Sequence, residues 1–203
     1  MSRIETLEAL RGLYPPATGR SVAKELSWLD PHCRRFIALS PFVLLATCDG
    51  AGNADVSPRG DHAGFVVVDD ERTLLLPDRP GNNRLDSLEN IIANPAVGLL
   101  FLIPGIDETL RVNGKAEVRA DAELTERFAI GGRRPTTVLR VQVEAAYLHC
   151  AKAFMRSRLW DPAAALPRAT LPSMGEMLKD QIGLEGPPET QADMVSRYRD
   201  ILY

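Results

Sequence analysis

The segment Pro77-Asp78-Arg79-Pro80-Gly81-Asn82-Asn83-Arg84 carries the strongest chemical signal in the chain. It joins the end of an apolar strand to the start of a helix. Gly81 allows an unusual backbone, a helix N-terminus offers free N–H groups, and two arginines flank the loop. Oriented amides plus Arg forks are how a protein holds a phosphate. A surface turn with solvated arginines fits the same spacing equally well.

A weaker signal lies in Asp55-Val56-Ser57-Pro58-Arg59-Gly60-Asp61, where a strand brings a further cation and exposed backbone to its end. A bulge at a sheet rim explains it more simply. A third lies in His149-Cys150-Ala151-Lys152-Ala153-Phe154-Met155-Arg156-Ser157-Arg158-Leu159-Trp160. In a helix Lys152 and Arg156 share a face, and like charges there repel unless an anion neutralises them. A solvated face is the plain alternative. Metal and nucleophile readings find little support. His-Cys occurs at 32–33 and at 149–150, but neighbours on a strand point to opposite faces. No CxxC or HxxxH pattern argues for zinc. His62 beside Asp61 could donate a proton, though a lone His is more often structural. GxSxG, Walker and GxGxxG patterns are missing.

The elements that must position these residues follow from composition and pattern. The chain has 203 residues, 45% hydrophobic and 25% charged, with a net charge of -3. That is ordinary for a globular protein and argues against a general nucleic-acid or anionic-membrane binder. A chain of this length buries roughly 70% of its unfolded surface without needing disulfides or metal. Four lysines stand against twenty arginines among the 24 basic residues. Codon bias is the simple reading of that skew, and phosphate-gripping forks the functional one. Three scattered cysteines make no disulfide framework, the charged opening is no secretory signal, and the longest apolar run, 96–103, is too short to span a membrane. A cytoplasmic protein is expected.

Leu7, Leu10 and Leu13 predict a helix stopped by Tyr14-Pro15-Pro16. Asp30-Pro31 predicts a capped helix running to about Leu39. Phe42–Cys48 followed by Asp49-Gly50-Ala51-Gly52-Asn53 predicts a hairpin, with further strands at 54–59, 64–68 and 73–76. A helix is predicted over 82–92, with Asn83 and Asp86 at its cap and Leu85, Leu88 and Ile92 as its apolar face. Strands at 97–103, 108–119 and 136–150, a short helix from Asp121, and helices near 173–182 and after Thr190 complete the chain. Ile201 and Leu202 are expected on the apolar face of the last helix, with Met194 and Tyr198. One domain over 1–203 is expected: N-terminal helices to 40, a barrel over 41–150 and a helical tail.

Three segments in this order resemble the pyridoxamine 5′-phosphate oxidase-like family of FMN-binding split β-barrels. They are Ser57-Pro58-Arg59-Gly60-Asp61, the run Leu74–Arg84, and Leu110-Arg111-Val112-Asn113-Gly114. His149–Ser157 resembles one uncharacterised branch of it. The resemblance spans about residues 30–180. It implies an α+β, mainly β fold: a six-stranded antiparallel Greek-key split barrel with helices at both ends. It also implies a homodimer with two FMN sites at the subunit interface and a flavin-dependent oxidoreductase acting on a small molecule. By that resemblance Arg59, Asn82, Asn83 and Arg84 gather round the phosphate and ribityl chain. Backbone at Ser57–Arg59 and Leu76–Asp78, Pro77 included, faces the ring edge and ribityl hydroxyls. Thr109 and Arg111 reach in from the barrel wall. His149, Lys152, Arg156 and Ser157 close the pocket from the partner subunit. A cation near N1 and O2 of the flavin would favour reduction.

The chain departs from the oxidase itself. Gly60-Asp61-His62 follows Arg59 where an apolar run ending in Lys is the pattern. No Arg-x-His-x-Arg-like cluster follows residue 150. Pyridoxamine phosphate is therefore not the implied substrate. A flavin-binding store or redox sensor, a haem or deazaflavin in the same barrel, and a dimer whose site has decayed are the competing functions.

Overall fold

The computed structural model describes residues 3–199 and 201–202. Met1 and Ser2, which open the charged N-terminal run, and Tyr203, the expected domain boundary, lie outside the described residues. The chain order is α1 (Leu7–Leu13), α2 (Arg20–Ala23), α3 (Pro31–Leu39), β1 (Phe42–Cys48), β2 (Ala54–Gly60), β3 (Val67–Asp70), β4 (Thr73–Pro77), α4 (Asp86–Ala93), β5 (Ala96–Leu102), β6 (Thr109–Arg119), α5 (Ala122–Glu126), β7 (Val138–His149), α6 (Lys152–Ser157), α7 (Met174–Ile182) and α8 (Gln191–Arg199). Short 3₁₀ turns at Pro162–Ala164 and Arg168–Thr170 fill the proline-punctuated stretch.

The seven strands form one antiparallel sheet in the order β2-β1-β5-β6-β7-β4-β3. The expected count of six is corrected to seven, because β3, a four-residue edge strand, pairs with β4. It covers Val67–Asp70 rather than 64–68, since Phe65 and Val66 are buried ahead of the ladder. β1 and β2 join at a tight hairpin: the Asp49 carboxylate accepts from the amides of Ala51 and Asn53 at 2.8 Å each, and Gly52 takes φ 92°.

Alternation sets the core. Val43 and Leu45 of β1, Val97, Leu99 and Phe101 of β5, Leu110 and Val112 of β6, and Val141, Val143 and Ala146 of β7 are buried together. β6 and β7 pair along their length, and their register shifts by one residue at a bulge, where Asn113 opposes Ala145 but Gly114 opposes Val143. A Cβ on Gly114 would strike the Gln142 carbonyl, so this position requires glycine. α3 packs on the core through Cys33 and Ile37, its first turn closed by the Asp30 side chain accepting from the Cys33 amide at 2.7 Å. Burial pushes the Cys33 thiol up to about 12, which makes it inert packing.

α4 starts at Asp86, not at the expected 82, and Asn83 does not cap it. Asn83 and Leu85 both take φ 59°, so the chain is still turning there. The later start rotates the apolar face: Ser87, Leu88 and Ile91 are buried, while Leu85 and Ile92 are 49% and 77% exposed. Among the described residues, α1, α2 and the tail from α6 onward contain no buried residue. Ile201 and Leu202 lie beyond the end of α8 and are exposed, so they do not extend its face.

Candidate functional site

Paired residues on neighbouring strands share a face. Asp55, Ser57 and Arg59 of β2 therefore share the face of their β1 partners Thr47, Leu45 and Val43, all buried. β2 is one edge of the sheet, and β4 is second from the other. Two ion pairs bring these regions together. Arg59 Nη1 meets Asp78 Oδ1 at 2.6 Å, and Arg79 Nε meets Asp61 Oδ2 at 2.7 Å. The sheet thus curls until side chains, not a ladder, cross its gap. The Asp61 side chain is fully buried, and it also accepts from the His62 amide and faces His62 Nδ1 at 2.9 Å. Arg79 Nη1 donates to the Phe128 carbonyl at 2.7 Å.

Helix α4 completes this rim. Ser87 Oγ donates to Asp55 at 3.0 Å, and Asn90 Nδ2 donates to Thr47 Oγ1 at 3.1 Å. Pro77 is buried at the end of β4, and the Asp78 amide donates to the Thr137 carbonyl at 3.0 Å. Asn82, Asn83 and Arg84 form the exposed turn ahead of α4. The Arg84 amide donates to Asn82 Oδ1, and its guanidinium meets Asp86 at 2.8 Å. Among the described residues Arg59 Nε is buried with no hydrogen-bond partner, as is Thr137 Oγ1. A charged donor left unmet inside a folded protein points to a missing acceptor.

Thr109, Arg111 and His149 gather elsewhere, on the β6–β7 wall, where Thr109 pairs with His149 and Arg111 with Tyr147. Thr109 is buried and Arg111 exposed. The Tyr147 ring is the hub. Its centroid lies 5.1 Å from the His149 ring, 5.4 Å from Lys24 Nζ and 5.7 Å from Arg111 Cζ. Arg111 Nη1 also donates to the Tyr147 hydroxyl at 3.1 Å, and Lys24 Nζ to the Leu148 carbonyl at 2.6 Å. His149 Nε2 is buried without a partner. Desolvation, then the charges of Arg111 and Lys24, hold the His149 imidazole below its ordinary value.

Lys152, Arg156 and Ser157 stand exposed on α6, which is helical as the i, i+4 reading requires. Ser157 Oγ donates to the Phe154 carbonyl. The Cys150 thiol is held below its ordinary value by the Lys152 amide, and the charges of Lys152 and Lys24 act the same way. Sequence reasoning gave no role to Asp61, Lys24 or Tyr147. Lys24 is one of only four lysines, but nothing local ties it to β7; the Leu26–Ala146 bridge does. A cavity of about 290 Å³ beside Arg134, Pro135 and Thr136 involves none of the sequence-predicted residues.

Comparison with solved structures finds similar chains. A variant of HupZ from Group A Streptococcus matches with 16% identity and a TM-score of 0.50, over 60% of this chain and 99% of that one. HupZ itself matches with 16% identity and a TM-score of 0.48, over 58% and 90%. An FMN-binding protein from Syntrophomonas wolfei matches with 12% identity and a TM-score of 0.45, over 58% and 83%. No curated protein matches the chain. The profile of the pyridoxamine 5′-phosphate oxidase family matches residues 29–150, which hold the rim and, Lys24 apart, the wall, and the chain therefore belongs to that family.

Proposed function

We propose that the chain binds FMN and acts as a flavin-dependent oxidoreductase on a small molecule, with two copies completing each site. The observation that supports this best is Arg59 Nε, buried and unpartnered inside the family-matched segment. An FMN phosphate supplies acceptor oxygens of the kind that donor lacks. Arg59, Asn82, Asn83 and Arg84 hold the phosphate and ribityl chain in this reading. Backbone at Ser57 and at Pro77-Asp78 meets the ring edge. Bound FMN supplies a ring that takes up and returns a hydride, so the chain itself needs to bind, orient and shield.

The second copy is part of the reading for two reasons. Among the described residues, no hydrogen bond or ion pair runs from Thr109, Arg111 or His149 to Arg59 or to the 77–84 loop, apart from any contact Arg79 makes beyond Asp61 and Phe128. A wall supplied by one copy and a rim by the other resolves that separation, with Lys152, Arg156 and Ser157 of α6 closing the pocket. Apolar side chains also stand uncovered, among them Val56 at 60%, Ile92 at 77% and Leu166 at 77%. The whole chain serves as one FMN-binding unit in this reading. Among the described residues no helix is long and apolar enough to cross a membrane. Three free cysteines support a cytoplasmic place.

The absorption spectrum of the purified chain, before and after heat release of ligand, tests the reading. Two flavin bands and released FMN are expected, followed by bleaching with a nicotinamide donor or a screened substrate. A colourless chain that takes up no added FMN overturns it. Tight FMN without any reduction leaves a binding module, and a Soret band moves the assignment to haem.

A further inference from the structure

Lys24, Arg111, Tyr147 and His149 come from three separate regions to one spot. The Leu26–Ala146 bridge, with backbone bonds of 3.0 and 2.7 Å, pins the segment after α2 beside β7. Register places Arg111 opposite Tyr147. The charge there is unbalanced. Among the described residues no carboxylate lies within 4.0 Å of Lys24, Arg111 or Lys152, whereas Arg59 and Arg79 at the rim each meet one. The ring and the carbonyl that hold Lys24 and Arg111 attract a cation without cancelling its charge. His149 Nε2 adds a buried atom with no partner.

We propose that Lys24, Arg111, Tyr147 and His149 form a receptor for an oxyanion, the phosphate or carboxylate of the molecule on which the flavin acts. The role in catalysis rests on the flavin reading; the anion site does not. Two fixed cations, a phenol hydroxyl and an imidazole nitrogen suit oxygen acceptors and repel a cationic or purely apolar head group. The flavin's own phosphate has its donors at the rim, with Arg59 and the 82–84 turn, so the wall is left for a second anion. The lowered proton affinity of His149 agrees, because the groups facing it are cationic or neutral: Arg111 and Thr109 from β6, Lys24, and Tyr147 from its own strand.

The test is a calorimetric titration of the full chain with inorganic phosphate at fixed ionic strength, with and without saturating FMN. A parallel NMR titration follows the imidazoles. Saturable binding is expected in both conditions. It should weaken about tenfold or more in Arg111→Gln and in Lys24→Gln, as when a charge-assisted hydrogen bond is lost. Phosphate should move the His149 midpoint upward. Lys24 is an exposed side chain, so its variant keeps the fold if Arg111→Gln does not. Phosphate binding unaffected by either substitution overturns the receptor. So does stoichiometric displacement of phosphate by FMN, which makes the wall the seat of the flavin phosphate. A chain that binds phosphate here but takes up no FMN upholds the receptor and removes the flavin.

Discussion

The rim between the sheet edges and the wall on β6–β7 hold similar numbers of cations and treat them in opposite ways. At the rim Arg59 and Arg79 each meet a carboxylate, and the Asp61 side chain is fully buried against Arg79. On the wall Lys24 and Arg111 meet a ring, a hydroxyl and a carbonyl, and no acid within 4.0 Å among the described residues. The rim cations are tied to acids that join β2 to the end of β4 where no ladder can form, and the donor left over there is the buried Arg59 Nε. The wall cations are held in place but left electrically open. A buried pair is costly to break, while an unmatched exposed cation costs little to remove and matters for what it can attract.

The largest effect that sharpens this contrast is on stability. Asp61→Ala should cost about 3–5 kcal/mol in urea unfolding, because it removes a fully buried carboxylate that accepts from both Arg79 and the His62 amide. A loss below about 1 kcal/mol would mean that the rim pair is dispensable and the contrast false. Next comes cofactor binding. Arg59→Leu should weaken FMN by about 1–3 kcal/mol, or roughly fivefold to 150-fold, by fluorescence titration. Arg84→Ala should act in the same direction but nearer 1 kcal/mol, since Arg84 is 73% exposed and already shares its charge with Asp86. Affinity unchanged in both variants would remove the phosphate from the rim.

Much of this frame is legible in the residues themselves. Asp30-Pro31 states a helix start that the Asp30–Cys33 bond delivers, and Asp49-Gly50 states a hairpin that the Asp49 carboxylate closes. Alternation along 110–118 states which side of β6 is buried. These signals are local, with cause and effect a few residues apart. The start of α4 was not legible, because a left-handed turn at Asn83 and Leu85 is imposed by what α4 must bury on β1 and β2, not by their own preferences. The partner of Arg59 sits 19 residues away across a gap no ladder spans, and the ring that gathers Lys24 is brought by a bridge from β7. Residue types pointed to anion chemistry; which cations were already paired needed the fold.

On the wall the stability effects should be small. Lys24→Ala should cost less than about 1 kcal/mol, the value of an exposed cation–π contact and one hydrogen bond to a carbonyl. A larger loss would make Lys24 a structural tie like Arg79 and break the contrast from the other side.

The smallest effect is one of pH, and its sign follows from His149. Burial and then Arg111 and Lys24 lower its proton affinity in the folded chain below the ordinary value of 6.5. As pH falls through 6.5, the unfolded chain takes up the proton first, so this residue makes folding less favourable until pH passes below the lowered folded value, where the loss levels off. Replacing His149 with Asn removes that contribution. Its unfolding midpoint should therefore fall less steeply than that of the wild-type chain as pH is lowered from neutrality. Lys24→Ala should flatten the slope only in part, because burial and Arg111 remain. Saturating phosphate should flatten it as well, since a bound anion favours the protonated ring. Urea midpoints measured across that range, with and without phosphate, decide the point. A slope that neither substitution nor phosphate changes would mean that His149 feels no net positive field, and the wall would then be as balanced as the rim.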